Sequence, residues 1–307
     1  MDKWIMIVNP ASATAATANT WADSGKVLAD AGLEVDSILT ERPGHAVEIA
    51  MQAAAKGERN FIAVGGDGTI HEVMTGLLRY SDSTGSDLGD FTLAVLPFGT
   101  GNDWIKTPLV PKDMAEAAAC IIRGNKAKED VVRLTFSNGV YCMANIGGIG
   151  LDADICYYTN NLKSKGHRGG ILYKLVAPYS IFSKKCQPVE VVCDGESVYN
   201  GKLYSAVIGN GLWRGGGVKQ TEPGDWADGQ LEVSIMPGCN PFKGLSLMMH
   251  ALSGDFPAQP GIVSRKFRKM TVTPLGKPDR FESDGELPGV LPVTVEVTGM
   301  QINIIVP

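Results

Sequence analysis

The run Phe61-Ile62-Ala63-Val64-Gly65-Gly66-Asp67-Gly68-Thr69 constrains this chain more than any other segment. Four apolar residues read as a buried strand and lead straight into a glycine-rich turn with one carboxylate. A helical pattern from Ile70 to about Leu78 follows at once. Glycines after a strand let the backbone approach a bulky anion, and the next helix turns its first N–H groups toward it. A plain strand-to-helix turn would need glycine too, so one such loop decides nothing. A second run of the same kind stands about thirty residues on, from Thr92 through Leu96-Pro97-Phe98-Gly99-Thr100-Gly101-Asn102-Asp103-Trp104. Two loops with Gly, Thr and Asp at the carboxyl ends of strands in one sheet face the same crevice, where open α/β sheets bind ligands.

The rest of the first 125 or so residues fits that sheet. Strands are expected at Trp4 to Val8, Leu33 to Leu39, Phe61 to Val64 and Thr92 to Leu96. Helices are expected at Ala13 to Ala31 (Trp21, Val27 and Leu28 inward), Ala46 to Ala55 and Met114 to Ile122, with a polar, mobile loop from Tyr80 to Asp90. Such alternation predicts a parallel sheet covered by helices on both faces. After Lys126 the pattern turns to short alternating runs. Ser137-Asn138-Gly139 signals a hairpin between Val131 to Phe136 and Val140 to Ala144. Further strands are expected at Val189 to Val192, Leu203 to Ile208, Leu231 to Ile235, Lys269 to Thr273, Val293 to Val297 and Ile302 to Val306. One helix, about Lys243 to Leu252, interrupts them. The expected fold is therefore an α/β domain with a parallel sheet over residues 1–127, then a β-rich antiparallel sandwich over 128–299. The strand at 300–307 is open to a return into the first domain.

Composition excludes several classes. The 37 glycines among 307 residues exceed the usual share of roughly 7%, yet they sit in loops without a repeat. No apolar run is long enough for a membrane span, and no signal peptide opens the chain. Six cysteines without a C-x-x-C pair predict free thiols in a cytoplasmic protein. A net charge of −5 argues against nucleic acid as a partner, and four scattered histidines argue against zinc.

With GGDGT and GTGND located, the chain resembles the diacylglycerol kinase catalytic-domain family, which includes bacterial soluble lipid kinases and sphingosine kinases. Asn9-Pro10-Ala11-Ser12 matches the opening strand-loop motif, and Thr40 with Gly44-His45-Ala46 a second. In the β-rich half, Ile146 to Asp152, Gly209 to Gly217, Asp228 to Val233 and Asp284-Gly285-Glu286 also fit. Two departures stand out: Ala13 where the family usually has glycine, and His71 where it commonly has asparagine. At position 71 the expected change lies behind the residues that touch the nucleotide, although a titratable ring beside phosphates could alter pH dependence.

The resemblance implies an ATP-dependent kinase for a lipid hydroxyl. ATP is expected against Asn9, Pro10, Ala11, Ser12, Ala13, Thr40, Gly66, Asp67, Gly68, Thr69, Ile70, His71, Glu72 and Thr100. No Walker A loop is present, so backbone N–H groups, Thr hydroxyls and Mg²⁺ are expected to hold the phosphates. Asp67 and Asp103 are the candidates to orient the metal of the reaction. Asp284 and Glu286, at i and i+2 of an extended chain, are expected to point the same way, and the resemblance places the general base at one of them. By resemblance too, Asp225, Asp228 and the Gln230 carbonyl hold a structural Mg²⁺; a plain β-turn is the competing reading. Lys163, Lys165, Arg168, Lys174, Lys184 and Lys185 gather around Tyr173, Tyr179 and Phe182, as a segment resting on anionic headgroups would. A solvated face remains the alternative there. The partner expected is a lipid substrate at a membrane surface, reached by peripheral contact at the inner face, with a homodimer left open. The rivals are an NAD kinase-like enzyme, which shares GGDGT, and a catalytically silent nucleotide- or lipid-binding protein.

Overall fold

The computed structural model describes residues 3–12, 20–98, 102–165, 171–211, 221 and 225–307; side chains at 20 and 171–174 lie outside the description. The chain divides into two compact units. One comprises Met1–Arg133, Val140–Ala144 and Thr298–Pro307, the other Leu134–Gly139 and Asn145–Val297.

The first unit alternates as its periodicity predicts: β1 (Lys3–Val8), α1 (Thr20–Asp30), β2 (Glu34–Leu39), α2 (His45–Ala55), β3 (Asn60–Gly65), α3 (Asp67–Thr84), β4 (Thr92–Pro97), α4 (Met114–Arg123), then β5 (Lys126–Phe136) and β6 (Gly139–Met143). The strands run parallel in the order β2-β1-β3-β4. β1, β3 and β4 are buried almost throughout, as helices on a parallel sheet require. Helix α3 closes on α2 at Gly76, where a Cβ would stand 2.5 Å from Val47 O and 2.8 Å from Ala50 Cβ. Two details depart from expectation, and part of one expected helix is not described. Val27 faces solvent while Leu28 beside it is buried. The described part of the first helix begins at Thr20, so residues 13–19 of the expected one lie outside the description. The supposed loop from Tyr80 begins as helix: α3 runs on to Thr84 because Ser81 is buried under it and Tyr80 packs edge-on against Phe91 at 6.0 Å. The left-handed Gly85 then ends it.

The second unit is built from β7 (Ile146–Gly150), α5 (Leu151–Ser164), α6 (Ile171–Ser183), β8 (Gln187–Cys193), β9 (Glu196–Gly209), β10 (Leu231–Pro237), α7 (Pro241–Ser253), β11 (Val263–Phe267), β12 (Lys269–Pro274), β13 (Arg280–Ser283), β14 (Glu286–Val290) and β15 (Val293–Ile305). Its pairings are antiparallel and sandwich-like. The first half of β9 pairs β8, and its second half lies between β7 and β10. β12 joins β8 to the start of β15, and β13 joins β14 to β7. The two strands expected at 293–297 and 302–306 are one strand. Its far end, Asn303 and Ile304, runs parallel to β4 of the first unit's sheet.

Among the described residues three helices, not one, interrupt the strands. α5 and α6 escaped the pattern because α5 is crowded with Tyr157, Tyr158 and polar residues, while α6 is apolar all round and carries Pro178. With α7 they share one core, in which Leu151, Ile155, Val176, Ile181, Leu247 and Tyr204 are buried.

Replacing Gly76 with alanine tests the α2–α3 contact. Alanine gains roughly 1 kcal/mol in helix propensity, but overpacking against a backbone carbonyl costs about 1–3 kcal/mol. Net destabilisation is expected as a lower denaturant midpoint; an unchanged or raised midpoint contradicts the close contact.

Candidate active site

Because β1 to β4 are parallel, Val8, Leu39, Gly65 and Pro97 end at one edge of the sheet, and the residues that follow them carry the polar motifs. Side chains lace these loops together. Asn9 takes the Ala11 N–H on Oδ1 (3.0 Å) and donates from Nδ2 to Thr69 Oγ1 (3.3 Å), tying the first loop to the glycine turn. The backbone N–H of Asn9 bonds Val64 O at 2.9 Å, and that of Thr40 bonds Val8 O at 2.8 Å. Gly65 is obligatory here, since a Cβ would collide with the Thr69 hydroxyl.

Asp67 opens α3, and both its oxygens are engaged. Oδ2 accepts the Asp103 N–H at 2.9 Å and Oδ1 the Trp104 N–H at 3.0 Å. One carboxylate therefore joins the two glycine loops. Asp103 is itself buried and paired with Lys106, three residues on in a short 3-10 turn. The Trp104 indole donates to Glu129 Oε1 at 2.9 Å. Glu72, one turn into α3, does for the second loop what Asp67 does for the fourth: its oxygens accept the Gly44 N–H (2.8 Å) and the Ala46 N–H (3.1 Å), capping α2 from another helix. His71 is buried, its ring stacked on Tyr141 with centroids 6.4 Å apart. It belongs to the α3 face that binds β6, along which Thr75 Oγ1 accepts the Cys142 N–H and Arg79 Nε donates to Val140 O. The His71 ring is packed as a core group. Pro10, Ala11 and Ser12 form a single 3-10 turn, and Gly66, Gly68, Thr69 and Ile70 make the entry to α3. Ala13 and Thr100 lie outside the described residues.

In the second unit, Asp284 and Gly285 form the two-residue turn between β13 and β14, with φ of 53° and 87°. Left-handed residues at both positions make a tight hairpin that suits Asp-Gly. The extended-chain expectation for Asp284 and Glu286 is thus corrected: the turn separates the two carboxylates. Asp284 is buried, its Oδ1 accepting the Asn145 N–H (2.9 Å) and Ile146 N–H (3.1 Å) and its Oδ2 the Ser283 hydroxyl. Glu286, the first residue of β14, is exposed. Helix α5 pins the turn from the side, with Asn160 Nδ2 (3.0 Å) and Cys156 Sγ (3.1 Å) both donating to Gly285 O. Lys106, Glu129, Cys156 and Asn160 were not singled out in the sequence. Only Lys106, at helical spacing after Asp103, carried a local signal.

The Asp225–Gln230 segment is a pair of side-chain-closed turns. Asp225 Oδ1 accepts the Ala227 N–H and Asp228 Oδ1 the Gln230 N–H. Lys266 stands 3.6 Å from Asp228 but closer, at 3.2 Å, to Glu232, and that pairing raises its pKa. The two aspartates and the Gln230 carbonyl are hard oxygen donors, the kind a small divalent cation takes, while among the described residues no group of three or more His, Cys, Asp or Glu is placed to hold a metal ion. Of the basic segment, Lys163, Lys165 and Lys185 are exposed. Lys184 is not: its ammonium is buried between Asp154 (3.0 Å) and Asp279 (3.4 Å), and burial pushes the Asp279 carboxyl upward. Arg168 and the Tyr173 and Lys174 side chains lie outside the description.

Known proteins match this architecture along its length. The diacylglycerol kinase catalytic domain family matches residues 3–134. The family described as the YegS C-terminal NAD kinase beta sandwich-like domain matches residues 146–306. The chain belongs to the diacylglycerol kinase catalytic-domain family. A diacylglycerol kinase of Bacillus subtilis (strain 168) is 27% identical over 100% of this chain and 97% of its own. A Salmonella schwarzengrund protein named "Probable lipid kinase YegS" is 30% identical over 69% of this chain and 68% of its own. Among solved structures, a diacylglycerol kinase from Bacillus anthracis str. Sterne superposes with a TM-score of 0.77 at 24% identity, covering 100% of this chain and 97% of that one. That likeness establishes the fold.

Asp67→Ala tests the loop-joining role. Two charge-assisted bonds to backbone are lost, which should cost about 1–3 kcal/mol in thermal or denaturant unfolding. Turnover should fall by at least about a hundredfold, the scale seen when a reacting group is misplaced. An unchanged kcat in the purified variant contradicts the assignment.

Proposed function

We propose that this protein transfers the γ-phosphoryl group of ATP to a lipid hydroxyl, on the loops at the carboxyl ends of β1 to β4. The observation that carries the reading is the lacing of those loops by Asn9, Asp67, Thr69 and Glu72, which holds the open N-terminus of α3 and the glycine turn rigid. Such an end, with the partial positive charge of a helix N-terminus, suits a polyphosphate. Phosphoryl transfer asks mainly for positioning and charge stabilisation, so a rigid cradle is the larger part of what the protein must supply. Mg²⁺ arriving with the nucleotide supplies charge neutralisation on the phosphate oxygens. Asp67 and Asp103 act as positioning residues of the cradle and would orient that ion, directly or through its waters.

Glu286 is the proposed base. Asp284 is buried, and its two oxygens are already occupied by two backbone N–H groups and a hydroxyl. Glu286 is exposed, at a site fixed by the turn before it. In the step itself the acceptor oxygen forms a bond to the γ-phosphorus, the bridging P–O bond breaks, ADP leaves, and the acceptor proton passes to Glu286. The acceptor belongs to the class of diacylglycerol, sphingoid bases and related lipid alcohols. Diacylglycerol is the first to assay, given the full-length relative of that name. The lipid is met at a membrane surface by peripheral contact, and among the described residues no helix is long and apolar enough to cross a bilayer. A structural Mg²⁺ at Asp225, Asp228 and Gln230 would brace the turn before β10.

The reading is tested by incubating purified protein with labelled ATP and a panel of lipid alcohols; phosphate transfer to none of them overturns it. Glu286→Gln should lower kcat by about 10²–10⁴-fold with ATP affinity and melting temperature unchanged. Asp284→Ala should instead cost stability, about 1–3 kcal/mol for orphaning buried donors. Equal, unperturbed kcat in Glu286→Gln removes the base from this turn.

Metal at the Asp228 turn is checked without turnover. Mg²⁺ added to dialysed protein should raise the melting temperature, and Asp228→Ala should abolish the rise. No shift in the wild type rules the ion out.

A further inference from the structure

Helices α6 and α7 are apolar on both faces. Their inner residues Val176, Ala177 and Ile181, and Leu247 and Ala251, complete the shared core with α5. Their exposed residues also include large apolar ones: Leu175, Tyr179 and Phe182 on α6, and Phe242, Met249 and Leu252 on α7. All six are large and lie in solvent, from 54% exposed at Phe182 to 75% at Phe242. The spacings i, i+4, i+7 and i, i+7, i+10 place each trio along one side of its helix. Phe182 meets Phe242 edge-on with ring centroids 5.9 Å apart, so the two stripes are joined. A helix apolar all round is expected in a core or in lipid, and a contiguous exposed apolar patch marks an interaction surface.

Charge selects the occupant. In a chain with a net charge of −5, neither α6 (ILYKLVAPYSIFS) nor α7 (PFKGLSLMMHALS) contains an aspartate or glutamate. Lys185, three residues after Phe182, and Lys243, next to Phe242, are exposed. At the far end of α7, Asp255 is engaged by His250, Ser253 and Gln259. A second copy of the chain seated on this patch by a two-fold axis would bring lysines toward lysines with no acid on either helix to answer them. An anionic bilayer offers acyl chains to the stripes and headgroups to the lysines.

We propose that the outer faces of α6 and α7 form the surface that docks the protein on anionic phospholipid, with the two aromatic-aliphatic stripes seated at the acyl boundary and Lys185 and Lys243 at headgroup level. The proposal rests on the lipid-kinase reading for its purpose and adds to it the contact itself. It also gives the docked surface a short route to the proposed base. Tyr179 of α6 packs edge-on against Tyr158 of α5 at 5.2 Å, and the same α5 holds Gly285 O through Asn160 and Cys156. One helix therefore stands between the lipid-facing stripe and the turn that presents Glu286.

The experiment is co-sedimentation of the full chain with phosphatidylcholine vesicles, with and without phosphatidylglycerol, at low and high salt. Wild type should bind the anionic vesicles, with part of the binding surviving high salt, because apolar seating is not screened. Phe242→Asp with Met249→Asp should lower the partition coefficient at least about tenfold. Tyr179→Ser with Phe182→Ser on α6 should do likewise. Lys185→Glu with Lys243→Glu should remove only the salt-sensitive part. Phosphate transfer to acceptor dispersed in detergent micelles should be unchanged in the α7 variant, separating docking from chemistry. If wild type docks but transfers phosphate to no lipid in micelles, the kinase reading fails and the docking surface stands. Vesicle binding equal to wild type in both apolar variants overturns the proposal. So does a wild-type dimer in vesicle-free solution that the α7 variant converts to monomer, since the patch then belongs to a second copy.

Discussion

One carboxylate straddles two backbone amides, and the first unit's polar edge depends on it. Asp67 begins the helix after the first glycine loop and accepts N–H groups from Asp103 and Trp104, which follow the second. Without it, two turns of low intrinsic order would each be free to choose their own shape. Glu72, five residues later on the same helix, holds the entry to α2 in the same way. Helix α3 thus acts as a spine whose first turns carry acids aimed at neighbouring backbones. Its remaining length is anchored to β6 through His71, Thr75 and Arg79. Rigidity at the loops is inherited from packing further down the helix.

How much of this could be read from residues alone depended on range. The parallel unit was legible because buried strands and amphipathic helices alternate with short connections, so local period and topology agree. The glycine-acid loops were legible because their chemistry is contiguous in sequence. Helices α5 and α6 were not, because one mixes aromatic and polar residues without a clean stripe and the other has no polar face at all. Long-range partners were invisible in principle. Nothing near Glu129 announces Trp104, and nothing in Cys156 or Asn160 announces the carbonyl of Gly285.

The Asp-Gly-Glu string shows why a motif's spacing is not its geometry. As an extended tripeptide it would place two acids side by side. As a left-handed turn it buries the first and exposes the second, and so gives them separate tasks: Asp284 anchors the start of β7, and Glu286 faces outward at the head of β14. The neighbouring basic segment divides likewise, Lys184 turning inward to two aspartates while Lys185 stays in solvent.

Strand β15 carries a consequence for biosynthesis. The first unit's sheet is bordered beyond β4 by Asn303 and Ile304, some two hundred residues further along the chain. While the ribosome is still making the preceding two hundred residues, β4 is an apolar strand with an unclosed edge, the kind of template on which nascent chains pair wrongly. The amino-terminal unit, first to be synthesised, is among the last to be finished. Any interruption of synthesis before Asn303 therefore strikes the half of the protein that was made first.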